Sequence, residues 1–303
     1  MNKYSTIGID IGGTRIKAAL VDEKGSLSHK MNQPSYLDQG YPAFITKLKE
    51  ITEHLRSLSE VDVIGVGLAV AGLMDARQKV VIDAPNCGIL VNQSPPEDLG
   101  REIGLPVVMD NDANAMALGE GLSGAAQGSR HYIALTLGTG IGGAIVIDGR
   151  LLHGIDGGGG ELGHIPIARN GPKCGCGARG CLEAFIGKAG LRSYIKKNHP
   201  QFSDTGMKEL SVIAQKGDKA ARDVFAYLGM TLGIAVAGLV NIFNPELVIV
   251  GGGVAYASDL FMEPLRKEVK RRAFKSYLDS LQIRPAKLGN WAGVIGAASM
   301  IRQ

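Results

Sequence analysis

The chain has 303 residues, which is enough for two ordinary domains that share a cleft. Hydrophobic residues make up 45% and charged residues 20% of it, as is typical of a soluble globular protein. The net charge of +4 at pH 7 is too small and too scattered to indicate a nucleic-acid partner. No apolar run of signal-peptide length follows the N-terminus, so we expect a cytoplasmic protein.

The first predicted elements are two short strands joined by a glycine turn, Asp10-Ile-Gly12-Gly13-Thr14. Gly12 and Gly13 let the backbone approach an anion closely, and Thr14 adds a hydroxyl donor. Asp10 is suited to hold Mg²⁺ or its water shell beside a phosphate. The alternative is a plain glycine hairpin with a solvated aspartate.

Helices and buried strands alternate after this hairpin. A helix is predicted at residues 41–58, a buried strand at 61–70 and a second helix at 97–103. The apolar residues that share one face of the first helix are Phe44, Ile45, Leu48, Ile51, Leu55 and Leu58.

The run Asn111-Asp112-Ala113-Asn114 directly follows the apolar strand at residues 107–109. Polar side chains just past a strand end gather at the binding sites of α/β proteins, so Asp112 is a candidate functional carboxylate. Asn114 or Asp112 is also expected to cap a helix that begins near Ala115.

A second glycine loop, Gly138-Thr139-Gly140-Ile141-Gly142-Gly143, fits the G-x-G-x-x-G pattern of dinucleotide sites, which keeps an NAD(P)-dependent dehydrogenase open as an alternative. That pattern has to open a helix. Here a strand, residues 144–147, and a hairpin turn at Asp148-Gly149 follow instead. The sequence therefore favours phosphate binding by two similar glycine hairpins.

The two loops belong to an internal repeat of strand, glycine turn, strand, hairpin and strand. Because strands alternate with helices in both copies, we predict an α/β fold of two similar domains around a cleft that clamps a nucleotide. The N-terminal domain is expected at residues 1–113 and a larger C-terminal domain at 114–290. A last helix, about 291–303, is expected to pack back on the first domain.

Four potential metal ligands crowd into 18 residues of the second domain, with the spacing His-x9-Cys-x-Cys-x4-Cys. In a chain without an export signal, clustered cysteines indicate a metal before a disulfide. A closed set of four such ligands predicts a structural zinc site. The metal-binding segment, here called the glycine knuckle (residues 164–181), would hold the His164 imidazole together with Glu161 and Glu183 at the edge of one site. These groups would then be partners for vicinal sugar hydroxyls. The four ligands are His164, Cys174, Cys176 and Cys181, whereas Cys87 is expected to be an ordinary free thiol.

A further helix is predicted at residues 207–227. The uncharged stretch 224–245 is long enough to span a bilayer, but we expect a buried helix that enters the strand 247–250. The glycine run Gly251-Gly252-Gly253 after this strand would let an adenine or ribose lie against the backbone.

Five motifs together resemble the ROK family of repressors and sugar kinases, in family order and over nearly the whole chain. They begin at Asp10, Asn111, Leu137, Glu161 and Cys174. The resemblance implies the actin-like ATPase (ribonuclease H-like) fold, phosphorylation of a sugar and a homodimer. Together with the glycine loops and the cysteine cluster, it leads us to expect ATP as the phosphoryl donor, accompanied by Mg²⁺, in-line transfer to a hexose, and structural zinc. No nucleic-acid or membrane partner is expected, because the net charge is small and the uncharged stretch indicates a buried helix.

The resemblance also implies the roles of individual residues. Asp112 would be the catalytic base. The sugar-binding residues would be Asn86, Asn111, Asp112, Glu161, His164 and Glu183. The nucleotide is expected, from the glycine loops themselves, to bind at Asp10, Gly12, Gly13, Thr14, Gly138, Thr139, Gly140, Gly252 and Gly253.

Two departures from the glucokinases of the family keep the substrate open. Residues 87–90 lack the tryptophan often found there, and 157–160 is an unbroken glycine run where an alanine is common. Glucose is the first expectation, and N-acetylmannosamine and fructose are the alternatives. The DNA-binding module of the family's repressors has no room before Thr6, so a kinase is favoured over a repressor-like protein that binds sugar without turnover.

Overall fold

The computed structural model describes residues 4–75, 77 and 79–302, which form two compact units. Unit 1 contains the residues up to Gly128, Ala144–Gly160 and the residues from Lys287 onward, and unit 2 contains Ser129–Gly143 and Glu161–Ala286. The chain first leaves unit 1 later than the expected boundary near residue 113, because the helix that starts at Asp112 still packs within unit 1. Residues 144–160 likewise belong to unit 1, whereas the sequence had assigned them to the second domain.

The elements of the described chain are as follows. The strands are β1 (Ser5–Ile11), β2 (Arg15–Val21), β3 (Leu27–Pro34), β4 (Val63–Val70), β5 (Leu73–Met74), β6 (Val81–Asp83), β7 (Val107–Asn111), β8 (Tyr132–Leu137), β9 (Ile141–Ile147), β10 (Arg150–Leu151), β11 (Leu247–Gly251) and β12 (Gln282–Pro285). The α-helices are α1 (Tyr41–Ser57), α2 (Pro95–Ile103), α3 (Asp112–Ser123), α4 (Leu182–Ile186), α5 (Lys188–Asn198), α6 (Met207–Gln215), α7 (Lys219–Phe243), α8 (Ser258–Arg272) and α9 (Ala292–Met300).

Two five-stranded sheets share one topology. The first has the strand order β3-β2-β1-β4-β7 and the second has the order β10-β9-β8-β11-β12. In the first, β1, β2 and β3 pair antiparallel, while β1, β4 and β7 pair parallel. In the second, β9 and β10 pair antiparallel, while β8, β11 and β12 pair parallel. The predicted internal repeat and the α/β class are therefore confirmed.

Most predicted helices are present, with two corrections. In α1 the predicted apolar face is buried as far as Leu55, but Leu58 lies just past the helix end and is 39% exposed. The helix predicted over residues 207–227 is two helices, α6 and α7. Gly217 adopts a positive φ of 104° that ends the first of them, and the Asp218 carboxylate caps the second by accepting the Ala221 N–H at 2.8 Å.

Helix α9 packs on the first sheet and on α3, all within unit 1. Glycines on the sheet and on α3 allow this close approach. A Cβ atom at Gly8, Gly67 or Gly119 would overlap a backbone carbonyl of α9. The C-terminal helix thus lies on the first sheet, from Ala292 to Met300, and of the predicted range residue 303 falls outside the described residues.

A buried carboxylate in α3 binds two chain segments, one just before the chain leaves unit 1 and one where it finally returns. The Glu120 side chain is 0% exposed. It accepts the N–H of Ala125 at 2.6 Å, that of Lys287 at 2.9 Å and that of Leu288 at 2.8 Å. Residues 125 and 287 flank the points where the chain leaves unit 1 and finally returns to it, so Glu120 fixes both ends together.

We expect Glu120→Gln to lower the free energy of unfolding by about 2 kcal/mol, because an amide NH₂ would face backbone N–H donors that now have an acceptor. Urea denaturation followed by circular dichroism measures the change. The exposed Glu60→Gln variant is the control and should unfold at the urea midpoint of the wild type. Equal urea midpoints for both variants would show that the hydrogen bonds of Glu120 do not stabilise the fold.

Helix α7 is the core helix that the uncharged stretch predicted. It is long and apolar enough to cross a membrane, but 61% of its most apolar window is buried inside the protein. It packs against α8, α6, α4 and α5 and is followed by β11. Its length and composition are therefore explained by packing within unit 2.

Candidate active site

The first glycine loop joins β1 to β2. The Gly12 N–H donates to the Arg15 carbonyl at 2.9 Å, and Gly13 and Thr14 are exposed. A Cβ atom at Gly13 would lie 2.9 Å from the carbonyl oxygen of Asn86. The loop therefore needs glycine for close packing, and Asn86 is its neighbour in unit 1.

Asp10 lies near the end of β1 and already has a cation beside it. Its Oδ2 pairs with Lys17 Nζ at 3.2 Å, and the carboxylate is 20% exposed. The hairpin register places the two residues directly opposite each other, so the pair could have been found from the hairpin pattern. A Mg²⁺ ion at Asp10 would have to share this carboxylate with the lysine.

The polar run after β7 starts helix α3. Asn111 is the helix cap, because its Oδ1 accepts the N–H of Ala113 at 2.8 Å and that of Asn114 at 3.3 Å. The expectation that Asn114 or Asp112 caps this helix is therefore wrong. The Asn111 Nδ2 also donates to the Gly72 carbonyl at 2.9 Å.

Asp112 occupies the first position of α3 and is partly exposed. Its Oδ1 accepts the N–H of Ala113 at 2.9 Å, which orients the carboxylate at the helix N-terminus. The thiol of Cys87 is close enough to feel its charge. Burial, and secondarily the charge of Asp112, raise the pKa of Cys87 to about 11, so this buried thiol stays protonated at neutral pH. Asn86, Cys87 and Asp112 thus belong to one neighbourhood.

A second carboxylate of β7 forms an ion pair that sequence reasoning missed. Asp110 Oδ2 lies 2.7 Å from the Nε2 of His153, which follows β10. Hydrogen bonding to Asp110 raises the pKa of His153, with burial opposing the shift. The two residues are 43 positions apart, and no local pattern in the sequence links them.

The second glycine loop, between β8 and β9, is fixed by Glu183. The Gly138 N–H donates to the Gly140 carbonyl at 3.0 Å, and the Ile141 N–H donates to Glu183 Oε2 at 2.9 Å. The Thr139 carbonyl accepts the Lys188 N–H at 3.1 Å. Glu183 therefore lies against this loop in unit 2, a position that the sequence did not indicate.

We expect Gly140→Ala to lower the free energy of unfolding by about 1 kcal/mol. A Cβ atom at Gly140 would overlap Glu183 Oε2, so the carboxylate would have to move and would lose the Ile141 N–H. Chemical denaturation measures the loss. Gly138→Ala is the matched control, because a Cβ atom there meets nothing within 4 Å among the residues that the structure describes. An equal loss in both variants would show that Glu183 is not the cause.

The glycine run after β11 lies beside the second loop. Gly251 pairs with Thr136 of β8, and a Cβ atom at Gly252, whose φ is 87°, would overlap the Leu137 backbone. A Cβ atom at Gly253 would have, within the described part of the chain, only the Leu137 carbonyl oxygen inside 4 Å, at 3.9 Å. Both glycines therefore border the end of β8, from which the second loop starts.

The four predicted metal ligands come together in unit 2. One ligand atom from each of His164, Cys174, Cys176 and Cys181 lies within 4.8 Å of all the others. His164 Nδ1 is 3.5 Å from Cys174 Sγ, and Cys176 Sγ is 3.8 Å from Cys181 Sγ. Cys174 and Cys181 are buried, and Cys176 is exposed.

The chemistry of this donor set fits zinc, for which three thiolates and one imidazole form one of the usual closed tetrahedral ligand sets. Backbone hydrogen bonding at Ala178 lowers the pKa of Cys176 and so favours the thiolate that a metal needs. Because Nδ1 of His164 faces the cysteines, its Nε2 points elsewhere and lies 4.0 Å from Glu161 Oε2. His164 therefore directs one ring nitrogen toward the cysteines and the other toward Glu161.

Each unit therefore gathers a part of the predicted residues. Unit 1 contains the first loop, Asn86 and the run at Asn111–Asp112, and unit 2 contains the second loop with Glu183, the glycines after β11, and the metal cluster with Glu161. The sequence did not reveal His153 or the role of Asn111 as a cap, since each depends on contacts between elements that are distant in the chain. The Asp10–Lys17 pair was also missed, although the local hairpin register indicates it.

Comparison with known proteins gives a consistent result. A sequence model of the ROK family matches residues 6–303. A glucokinase of Thermotoga maritima is 35% identical, covering 100% of this chain and 99% of the relative. A xylose repressor of Bacillus subtilis is 31% identical, covering 98% of this chain but 76% of the repressor.

Solved structures agree with this result. A ROK family glucokinase from Streptomyces griseus, solved in complex with glucose and AMPPNP, is 34% identical with a TM-score of 0.82. The likeness covers 99% of both chains. It therefore extends over both compact units.

Proposed function

The chain belongs to the ROK family, and from this premise we propose that it is an ATP-dependent hexose kinase that converts glucose to glucose 6-phosphate. The family relationship confirms the predicted actin-like ATPase fold. The observation that carries the proposal is the full-length likeness to a glucokinase that binds glucose together with an ATP analogue.

Six residues are proposed to bind the sugar: Asn86, Asn111, Asp112, Glu161, His164 and Glu183. Their side chains provide amide, carboxylate and imidazole groups, which suit vicinal hydroxyls. Asn111 contributes from a rigid position because its Oδ1 and one Nδ2–H are already hydrogen-bonded within unit 1. Glu183 shares its carboxylate with the Ile141 N–H, which leaves further acceptor sites for a hydroxyl.

The triphosphate is proposed to bind at the two glycine loops, residues 12–14 and 138–140, with the nucleoside near Gly252 and Gly253. The exposed residues Gly13, Thr14 and Thr139 support this role, because N–H groups of such turns can form anion-binding concavities. Mg²⁺, held at Asp10, would supply positive charge beside the phosphates. Lys17 next to Asp10 adds a second cation on the same side of the hairpin.

We propose that the metal at the cysteine cluster is zinc and that its role is structural, since four protein ligands leave no position open for water. When bound, zinc would hold the ring of His164 through Nδ1. The free Nε2 can then meet a sugar hydroxyl or Glu161, which lies 4.0 Å away.

In the proposed reaction Asp112 acts as the general base. Its carboxylate accepts the proton of the attacking sugar hydroxyl, expected to be that on C6. The hydroxyl oxygen forms a bond to the γ-phosphorus as the bond from that phosphorus to the β–γ bridging oxygen breaks, and ADP leaves. Loop amides stabilise the charge of the transferring group, and positioning supplies most of the acceleration.

Other sugars and a sugar-binding protein without kinase activity are the alternatives to this proposal. N-acetylmannosamine and fructose are the alternative sugars, because residues 87–90 and 157–160 depart from the pattern of family glucokinases. The likeness to a xylose repressor favours sugar binding without turnover as the second candidate function. We also propose a cytoplasmic homodimer without membrane or nucleic-acid partners.

A coupled assay of ADP release across a panel of hexoses tests the function. We expect sugar-dependent ADP release, fastest with glucose, and no NAD(P)-dependent absorbance change without the coupling enzymes. Calorimetry on the same sugars separates the alternatives. Sugar binding without ADP release would favour the repressor-like function, and neither binding nor release would overturn the kinase proposal.

A further inference from the structure

Asp110 is a buried carboxylate two positions before the proposed base. It is 4% exposed, and both of its oxygens are engaged. Oδ1 accepts the Asn111 N–H at 2.7 Å and Asn114 Nδ2 at 2.8 Å. Oδ2 meets His153 Nε2 at 2.7 Å. The residues on either side of Asp112 are therefore both tied to one carboxylate.

His153 is also the first residue of a glycine-rich loop. Its carbonyl accepts the Gly159 N–H at 2.7 Å, which closes residues 153–159 into a ring. The ring packs against β5, because a Cβ atom at Gly157 would lie 2.7 Å from the carbonyl oxygens of both Met74 and Asp75. Glu161, a proposed sugar ligand, follows this ring in the chain.

A carboxylate this deeply buried requires compensation, since an ionised group without partners is costly in a protein interior. His153 is the partner that brings positive charge. Hydrogen bonding to Asp110 raises the pKa of His153 and so favours the imidazolium form. The histidine side chain is 32% exposed, whereas the aspartate it contacts through Nε2 is buried.

We propose that the Asp110–His153 pair is a positioning device for phosphoryl transfer, which holds the turn that carries Asp112 in register with the glycine ring at residues 153–159. The inference rests on the proposed role of Asp112. His153 acts through Asp110 and the turn at Asn111, and it performs no chemistry itself.

The test compares steady-state kinetics of His153→Ala, His153→Gln and the control His54→Ala, which alters an exposed histidine of α1. We expect His153→Ala to lower kcat with glucose roughly 10- to 100-fold, since small misplacement of a reacting group has effects of this size. The KM for ATP should stay within about two-fold of the wild type, because the nucleotide loops are untouched. His153→Gln retains an N–H donor and should recover most of the loss.

A double variant separates positioning from general damage. If His153 acts through Asp112, His153→Ala should cause no further loss of kcat in the Asp112→Asn background. A lower kcat in the double variant, by the same factor as in the wild type, would overturn the inference. So would a His153→Ala enzyme that turns over within about two-fold of His54→Ala.

A measurement without substrate completes the test. In the Asp110→Asn variant the pKa of the His153 ring, followed by NMR, should fall from its raised value, because Asp110 supplies both the hydrogen bond and the charge that raise it. An unchanged pKa would overturn the pairing. If the wild type phosphorylates no sugar, the proposed function fails and this inference fails with it, whereas an active wild type with an unaffected His153→Ala variant removes only the inference.

Discussion

Asp112→Asn is expected to lower kcat by about two to four orders of magnitude while sugar affinity changes little. The asparagine has nearly the same shape, and its Oδ1 can still accept the Ala113 N–H that the aspartate accepts at 2.9 Å. The variant therefore keeps the start of α3 but cannot take a proton from the attacking hydroxyl. Stopped-time ADP release gives kcat, and calorimetry gives the affinity for glucose.

Asp279→Asn is the matched control, because this aspartate is exposed and lies in unit 2, far along the chain from α3. Its kcat should equal that of the wild type. A near-normal kcat for Asp112→Asn would remove Asp112 from the role of base. A loss of sugar binding as large as the loss of kcat would instead identify Asp112 as a binding residue only.

Cys176→Ser is expected to abolish stoichiometric zinc and to raise the KM for the sugar about ten-fold or more, since loss of a metal ligand releases the groups that the metal orients. Cys176 is the exposed member of the cluster, so serine disturbs packing less there than at the buried Cys174 or Cys181. The metal content, measured by atomic emission, and the KM for glucose should change together.

Lys173→Ser is the control for this experiment. Lys173 is exposed, belongs to the same glycine knuckle and is not among the ligand atoms of the cluster. It should retain zinc and a normal KM. A wild-type protein that contains no zinc would contradict the proposed zinc site. Loss of zinc from Cys176→Ser with an unchanged KM for glucose would show that the metal site does not contribute to sugar binding.

The metal cluster and the two glycine loops could be predicted because each is local. His164 and the three cysteines lie within one short segment, which limits how far apart their ligand atoms can be. The loops each follow an apolar strand, and the register of the hairpin then determines which side chains are opposite, as with Asp10 and Lys17. Local spacing carries most of the information in these cases.

The start of α3 shows where local information ends. Asn111, Asp112 and Asn114 are all good capping residues. Which of them caps depends on where β7 stops, and that depends on its pairing with β4 as far as Asn111. The break between α6 and α7 is a different case, because local residues do indicate it. Gly217 is a typical helix-ending residue and Asp218 a typical helix cap, but the apolar periodicity on both sides suggested one continuous helix.

The sequence by itself determined the α/β class, the internal repeat, the clustering of one histidine with three cysteines and the family of this protein, because these depend on residue spacing and on motifs of a few residues. The tertiary structure alone decided that Asp110 meets His153, that Glu120 clamps Ala125 and Lys287, and that Glu183 fixes the second glycine loop. Each of these contacts joins elements far apart in the chain. The buried carboxylates select their partners by satisfying hydrogen bonds in a packed interior, and that requirement appears only when the elements are assembled.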